Sequence, residues 1–254
     1  MLSGVWVLIL LVLISSLPVI AVYVWFRLAK YPLSLVKFLL ILFAGASAFF
    51  PALLLQDLLN LSFAVGNRWM LFYEFFIRLA FTEEISRLLM LFIFFWISGM
   101  VYKLNRAKQG EDLGQPLTYN TIKKGTAIGL VAGLGFALLE TATLGASNAD
   151  LTLLLLRAVT TAPLHAACGS RIGAAAVLFR TSPVQAIMRI FTATAIHGVY
   201  NIMLDNEMPW GLPFIAAILI ALSALATAIL TIRGGWEQPT PEEPPTLDKI
   251  KESQ

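Results

Sequence analysis

Glu83 and Glu84 stand side by side, four and three residues ahead of Arg87, in a stretch that is otherwise largely apolar. Residues three or four apart share a helix face, so one guanidinium is within reach of both carboxylates. Two adjacent carboxylates beside a single cation resist ionising together; one is left to hold a proton, which suits the pair to proton transfer. His197 and Asn201 are four apart and can address one bound group. Phe136 and Glu140 share a face, and Arg157, Thr161 and His165 follow in steps of four. Pro163 removes a backbone donor beside His165 and predicts a bend there. Glu83, Glu140, His165 and His197 are also acceptable zinc ligands with a water in an open position, although no compact His-x-x-x-His pair is present.

These groups sit where charge is costly. The chain has 254 residues, 58% hydrophobic and 13% charged, with a mean hydropathy of +0.80. Soluble domains carry about a quarter charged residues, so the deficit points to lipid. An ionisable residue near the centre of a spanning helix costs about 2.5–3.5 kcal/mol, and four deep ones cost on the order of 10 kcal/mol. Such residues face a bundle interior or a water-filled cavity and mark function.

The elements that must position them are helices of roughly 20 mainly apolar residues. Seven candidate spans fit: about 4–26, 36–56, 71–100, 121–146, 151–179, 185–204 and 211–232. The expectation is an all-α, multi-pass bundle in the cell membrane. At 1.5 Å per residue, Glu83 lies ~18 Å beyond Leu71, His165 ~21 Å beyond Leu151, His197 ~18 Å beyond Gln185 and Glu140 ~28 Å beyond Thr121. Four helices thus bring acid and imidazole groups to overlapping depths, which predicts a shared cavity.

The first span lacks a basic leader and is followed by Arg27, Lys30 and Lys37, so it reads as a retained helix. Cations collect in alternate loops: Arg27, Lys30 and Lys37; Lys103, Arg106, Lys108, Lys123 and Lys124; Arg180 and Arg189; then Arg233. The intervening loops carry Asp57, Arg68, Asp150, Asp205 and Glu207. The positive-inside rule then puts the N-terminus outside and the C-terminus in the cytoplasm. The same pattern accounts for the net charge of +3, so nucleic-acid binding is not expected. Residues 1–233 form the membrane domain, and the Pro- and acid-rich segment 234–254 is expected to be a disordered cytoplasmic tail. The segment from Gln109 to Thr118 reads as a cytoplasmic loop. Gly125, Gly129 and Gly133 make a small-residue stripe for helix packing. The lone Cys168 excludes an intramolecular disulfide and is read as a small packed hydrophobe. Glu74, Arg78 and Arg171 are explained by local pairing or snorkelling.

Glu83-Glu84-Ile85-Ser86-Arg87, Phe136-Ala137-Leu138-Leu139-Glu140, His165 and His197-Gly198-Val199-Tyr200-Asn201 occur in order on separate predicted helices. Over roughly residues 71–204 this set resembles the PrsW family of intramembrane proteases, within the superfamily of CAAX prenyl proteases and bacteriocin-processing enzymes. Arg87 stands where PrsW-like sequences usually have lysine, and Thr141 where asparagine often follows the glutamate. The resemblance implies an intramembrane endopeptidase with Glu83 or Glu84 as general base on water. It implies that His197 and Asn201 polarise the scissile carbonyl, that His165 orients water or protonates the leaving amine, and that Glu140 positions an imidazole, with Arg157 and Arg87 in support. The implied substrate is a single-span membrane protein in the lipid bilayer, such as an anti-sigma factor. A prenylated substrate fits less well, because the second motif ends in Glu140 where that branch has histidine. Two other classes stand beside the enzyme: a catalytically silent scaffold subunit braced by its ion pairs, and a proton-coupled transporter, against which the lack of an inverted repeat counts.

Overall fold

The computed structural model describes residues 4–31, 33–61, 68–98, 119–148, 157, 159–204 and 211–233. The expected loop from Gln109 to Thr118, the tail 234–254, the basic residues Lys103, Arg106 and Lys108, and the acidic Asp150, Asp205 and Glu207 lie outside these residues. The described elements are all helical: α1 (Gly4–Leu28), α2 (Leu35–Ser47), α3 (Phe49–Leu58), α4 (Arg68–Phe72), a π-helix π1 (Tyr73–Phe81), α5 (Thr82–Ile97), α6 (Tyr119–Asn148), α7 (Thr161–Leu178), α8 (Pro183–Leu204) and α9 (Leu212–Arg233). The protein is an all-α, multi-pass membrane helix bundle.

Where their residues are described, the seven expected spans are helical; residues 99–100 of the third and 151–156 and 158 of the fifth lie outside the described residues. Leu35–Leu58, Ile122–Thr143, Pro183–Leu204 and Ile215–Arg233 are each long and apolar enough to cross a membrane. Their outward faces carry side chains that only lipid would accept in such number, among them Phe43, Phe50, Val184, Phe191 and Leu219. The continuous run α4–π1–α5 carries too many charges to read as apolar, and α7 is built largely of small and polar residues. Both are the elements that carry site residues, and α7 is buried along nearly its whole length.

α7 packs antiparallel on α6 at backbone contact. A Cβ added to Gly129 would lie 2.0 Å from the Gly169 carbonyl oxygen, and one added to Gly133 would lie 2.0 Å from that of His165. Without an oil-water driving force between helices in lipid, such small-residue seams give the contact area that holds them together. Gly45 of α2 meets Ala132 of α6 in the same way, its notional Cβ 1.9 Å from the carbonyl oxygen. The expected glycine stripe is therefore a packing seam, and it fixes the level of His165 against α6.

Two local features differ from a plain helical reading. The chain from Tyr73 to Phe81 is wound as a π-helix, with i to i+5 bonding that is rare beyond one turn and concentrated at functional sites. It ends where Thr82 Oγ1 donates to the carbonyls of Arg78 and Leu79, immediately before Glu83. Pro163 lies in the first turn of α7, which starts at Thr161; Arg157 and Val159 before it are helical too, with a turn at Thr160 between the two stretches. A proline is tolerated there because its missing N–H has no helical partner to lose.

Candidate active site

α5 delivers Glu83, Glu84 and Arg87 into the middle of the bundle, where all three are buried. The two carboxylates are adjacent on a helix, so they diverge by about 100°. Glu84 turns inward. Its Oε1 accepts from Arg87 Nη2 at 2.7 Å and lies 2.9 Å from His197 Nδ1. Glu83 turns to a cavity. Its Oε1 accepts from Gln56 Nε2 of α3 at 3.3 Å, while Oε2 lies 3.7 Å from His197 Nε2 and 3.6 Å from Arg87 Nη2.

Arg87 is held on two further sides. Its guanidinium carbon sits 4.7 Å from the centre of the Phe136 ring, a cation–π contact that gains strength out of water. Its Nη1 reaches the His165 carbonyl at 3.5 Å. Phe136 in turn packs on the His165 ring with centroids 5.1 Å apart. One residue of α6 thus spaces the cation of α5 from the imidazole of α7.

Glu140, one turn along α6 from Phe136, lies behind His165. Its Oε2 is 2.8 Å from His165 Nε2 and 2.8 Å from Arg157 Nη2. The two imidazoles meet at a centroid distance of 4.9 Å with perpendicular planes. The arrangement is therefore symmetrical in kind: each histidine has one ring nitrogen on a carboxylate, Glu84 or Glu140, and each of those carboxylates is neutralised by an arginine.

Glu83, Glu140, Arg157, His165, His197 and Asn201 all line one cavity of about 280 Å³. Its remaining wall is Phe75 and Leu79 of π1, Leu204 and Tyr200 of α8, and Thr161. Glu84 and Arg87 are behind the wall. Glu74 and Arg78 form an ion pair with each other within π1. Arg171 donates from Nη2 to Thr227 Oγ1 at 3.0 Å, tying α7 to α9 away from the cavity.

Sequence reasoning missed Gln56, Tyr200 and the π-helix. Gln56 offered one signal, a lone amide in an apolar span. Tyr200 is buried, and its hydroxyl donates to Thr160 Oγ1 at 2.8 Å.

The donor set fits a divalent cation. Glu83, His165 and His197 each present one ligand atom, all within 4.8 Å of one another. Glu83 Oε2 and His165 Nδ1 are buried atoms without a hydrogen-bond partner among the described residues, and such orphans call for an explanation. Carboxylates on the far nitrogens are how ligating histidines are commonly oriented. Charge points the same way. Two arginines, Arg87 and Arg157, stand among three carboxylates, and Arg87 lies closer to Glu84 (2.7 Å) than to Glu83 (3.6 Å). Glu140, a candidate ligand by residue type, stands outside this trio because its Oε2 is engaged by His165 and Arg157.

No curated protein and no solved structure shows a significant match to the chain. The family model described as PrsW family intramembrane metalloprotease matches residues 32–229. The match reaches beyond the 71–204 that carry the four motifs and takes in α2 and α3, and with them Gln56. The chain therefore belongs to the PrsW family of intramembrane metalloproteases.

Proposed function

We propose that this protein is a metal-dependent endopeptidase that hydrolyses a peptide bond of a single-span membrane protein at the cavity between π1, α5, α7 and α8. The observation that carries this reading is the pair of imidazoles, each backed by a carboxylate, facing a third carboxylate on the wall of one cavity. Glu83, His165 and His197 would hold the ion. Zinc suits two imidazoles and a carboxylate with a position left open, and when bound it supplies Lewis-acid polarisation of a carbonyl and an acidified water.

The residues of the chain supply the rest. Glu84 and Glu140 fix the orientation of the two rings and keep each ring's other nitrogen turned from them. Asn201 and Arg157 on the cavity wall are the donors available to a developing oxyanion. Glu140, its Oε2 held between His165 and Arg157, serves this site by positioning the His165 ring. Phe75, Leu79 and Leu204 form the apolar side of the cavity, which receives substrate side chains and limits bulk water. Segment 234–254 belongs to this proposal only as an extension outside the membrane domain. By resemblance to PrsW proteases, the substrate is an anti-sigma factor or a similar signalling protein.

A second reading is supported by the Gln56 contact. With Oε1 held, Glu83 Oε2 is free to act alone as a general base on water, without an ion.

The test is cleavage of a tagged single-span protein by the purified chain in proteoliposomes, with metal content measured in parallel. About one divalent ion per chain is expected, with activity lost to a chelator and restored by zinc. His165→Ala and His197→Ala should lose both ion and activity. Cleavage that survives chelation in ion-free protein would establish the Glu83-base reading instead. Cleavage that survives in Glu83→Ala, Glu84→Ala and His197→Ala alike would end the protease assignment to this cavity.

A further inference from the structure

A second cavity of about 140 Å³ lies at the end of the bundle where α1 and α9 finish and α6 begins. It is remote from the active site: Lys123 on its wall precedes Glu140 on α6 by some 25 Å of helix. The chain is folded to make it. Lys30 adopts a left-handed conformation with φ of 53°, a costly turn for a residue with a Cβ. The turn lets the Tyr31 N–H bond the Phe26 carbonyl at 2.9 Å and lays the two rings together at 4.9 Å. Trp25, Phe26, Ala29 and Tyr31 then roof a space whose floor carries Lys123, Ile232 and Arg233.

Two cations converge on this space, and among the described residues its lining contains no carboxylate. The described carboxylates, Asp57, Glu74, Glu83, Glu84 and Glu140, belong to α3, π1, α5 and the distal part of α6. Arg27, Lys30, Lys37 and Lys124 are further cations at the same end. Like charges held together around a cavity call for an anion, and phosphate oxygens are strong acceptors for Lys and Arg. Burial pushes the Tyr31 phenol up to about 12, so at neutral pH it keeps its proton and can donate. The cavity sits where exposed apolar side chains such as Leu28 and Val36 give way to lysine and arginine, and Trp and Tyr favour that headgroup level. The apolar flank favours a phosphate attached to acyl chains over a free one.

We propose that the cavity between α1, α6 and α9 is a binding site for the phosphate of an anionic phospholipid, with Lys123 and Arg233 as its cationic ligands and Tyr31 as a neutral donor. Basic pockets between helices at a headgroup surface are suited to such recognition. The headgroup phosphate bridges the start of α6 to the end of α9, so the lipid acts as a strut on the helix that carries Glu140.

The experiment is native mass spectrometry of the delipidated full chain in neutral detergent, titrated with phosphatidylglycerol, phosphatidylcholine or inorganic phosphate. One phosphatidylglycerol should bind about tenfold or more tightly than phosphatidylcholine, and should raise the melting temperature where inorganic phosphate does not. Lys123→Ala/Arg233→Ala should abolish the preference, while Lys37→Ala, at the same end but off the cavity wall, should keep it. If the double variant does not fold, Lys123→Gln alone carries the test, with a partial loss expected. Equal binding of the two lipids would overturn the proposal, as would an unchanged preference in a folded variant. Stabilisation by inorganic phosphate equal to that by lipid would also overturn it, because the ligand would then be a soluble anion.

Discussion

Glu84 Oε1 is shared by Arg87 Nη2 at 2.7 Å and His197 Nδ1 at 2.9 Å, so one carboxylate oxygen orients a cation of its own helix and an imidazole 113 residues away. Its neighbour Glu83 faces the cavity. The two glutamates should therefore fail differently. Glu83→Gln removes the cavity-facing charge and should drop cleavage to background. Glu84→Gln keeps an acceptor for His197 but weakens both bonds, and loss of such an orienting carboxylate costs about 10–100-fold in metal affinity or activity. Cleavage rates with ion content measured on the same samples separate the cases, and equal, total loss in both would remove the division of labour.

Glu140 and Arg157 make the corresponding pair behind His165. Arg157→Ala strips the compensating cation from Glu140, and breaking a partly buried pair by removing one partner leaves an uncompensated charge. The expected result is about a tenfold or greater fall in kcat with the chain still folded in detergent. Arg157→Lys should recover only part of it, because a point ammonium does not replace a planar fork. Steady-state kinetics with a melting curve for each variant check this, and an unchanged kcat for Arg157→Ala would take Arg157 out of the site.

The grouping of these residues around one cavity was legible because lipid makes charge costly, so Glu83, Glu140, His165 and His197 stand out against an apolar background. Pairs within one helix, such as Glu84 with Arg87 or Glu74 with Arg78, follow from spacing alone. The partition between Glu83 and Glu84 does not. Adjacent residues on a helix differ only in direction, and which one meets the cavity is decided by where α8 places His197. Gln56 was hidden for a related reason: its bond to Glu83 joins two helices 27 residues apart. The π-helix left no trace in the sequence, since Glu74 and Arg78, four apart among Tyr, Phe, Ile and Leu, can pair on an ordinary α-helix as well. Pro163 was visible, and the helical interruption it accompanies falls at Thr160, where α7 begins.

The seam between α6 and α7 supplies a prediction that separates stability from positioning. Gly125 and Gly133 both lie on it, with notional Cβ atoms 2.7 Å from the Gly173 carbonyl and 2.0 Å from the His165 carbonyl. Either alanine must push the helices apart, and overpacking of this kind costs about 1–3 kcal/mol. Gly133→Ala moves the backbone of a proposed ligand, whereas Gly125→Ala acts about two turns away. Both should lower the melting temperature in detergent. Only Gly133→Ala should lose activity well below its own melting range, and matched activity losses in the two would refute the positioning role of Gly133.

Gln56 gives the sharpest test of how Glu83 is held. Its amide donates to Glu83 Oε1, and its backbone carbonyl accepts from Arg78 Nε at 2.9 Å, so α3 braces both the carboxylate and the π-helix beside it. Gln56→Leu keeps the backbone bond and the volume while deleting the amide. Glu83 would then lose its neutral partner without losing its charge, and a single neutral-to-charged hydrogen bond contributes about 1.5–3 kcal/mol. The expected outcome is a fall of about tenfold or more in kcat with ion content retained. Gln56→Glu should be worse, because a second carboxylate 3.3 Å from Glu83 Oε1 favours a shared proton over a charged ligand. If Gln56→Leu cleaves as fast as the parent protein, the contact is packing alone and the cavity holds Glu83 without it.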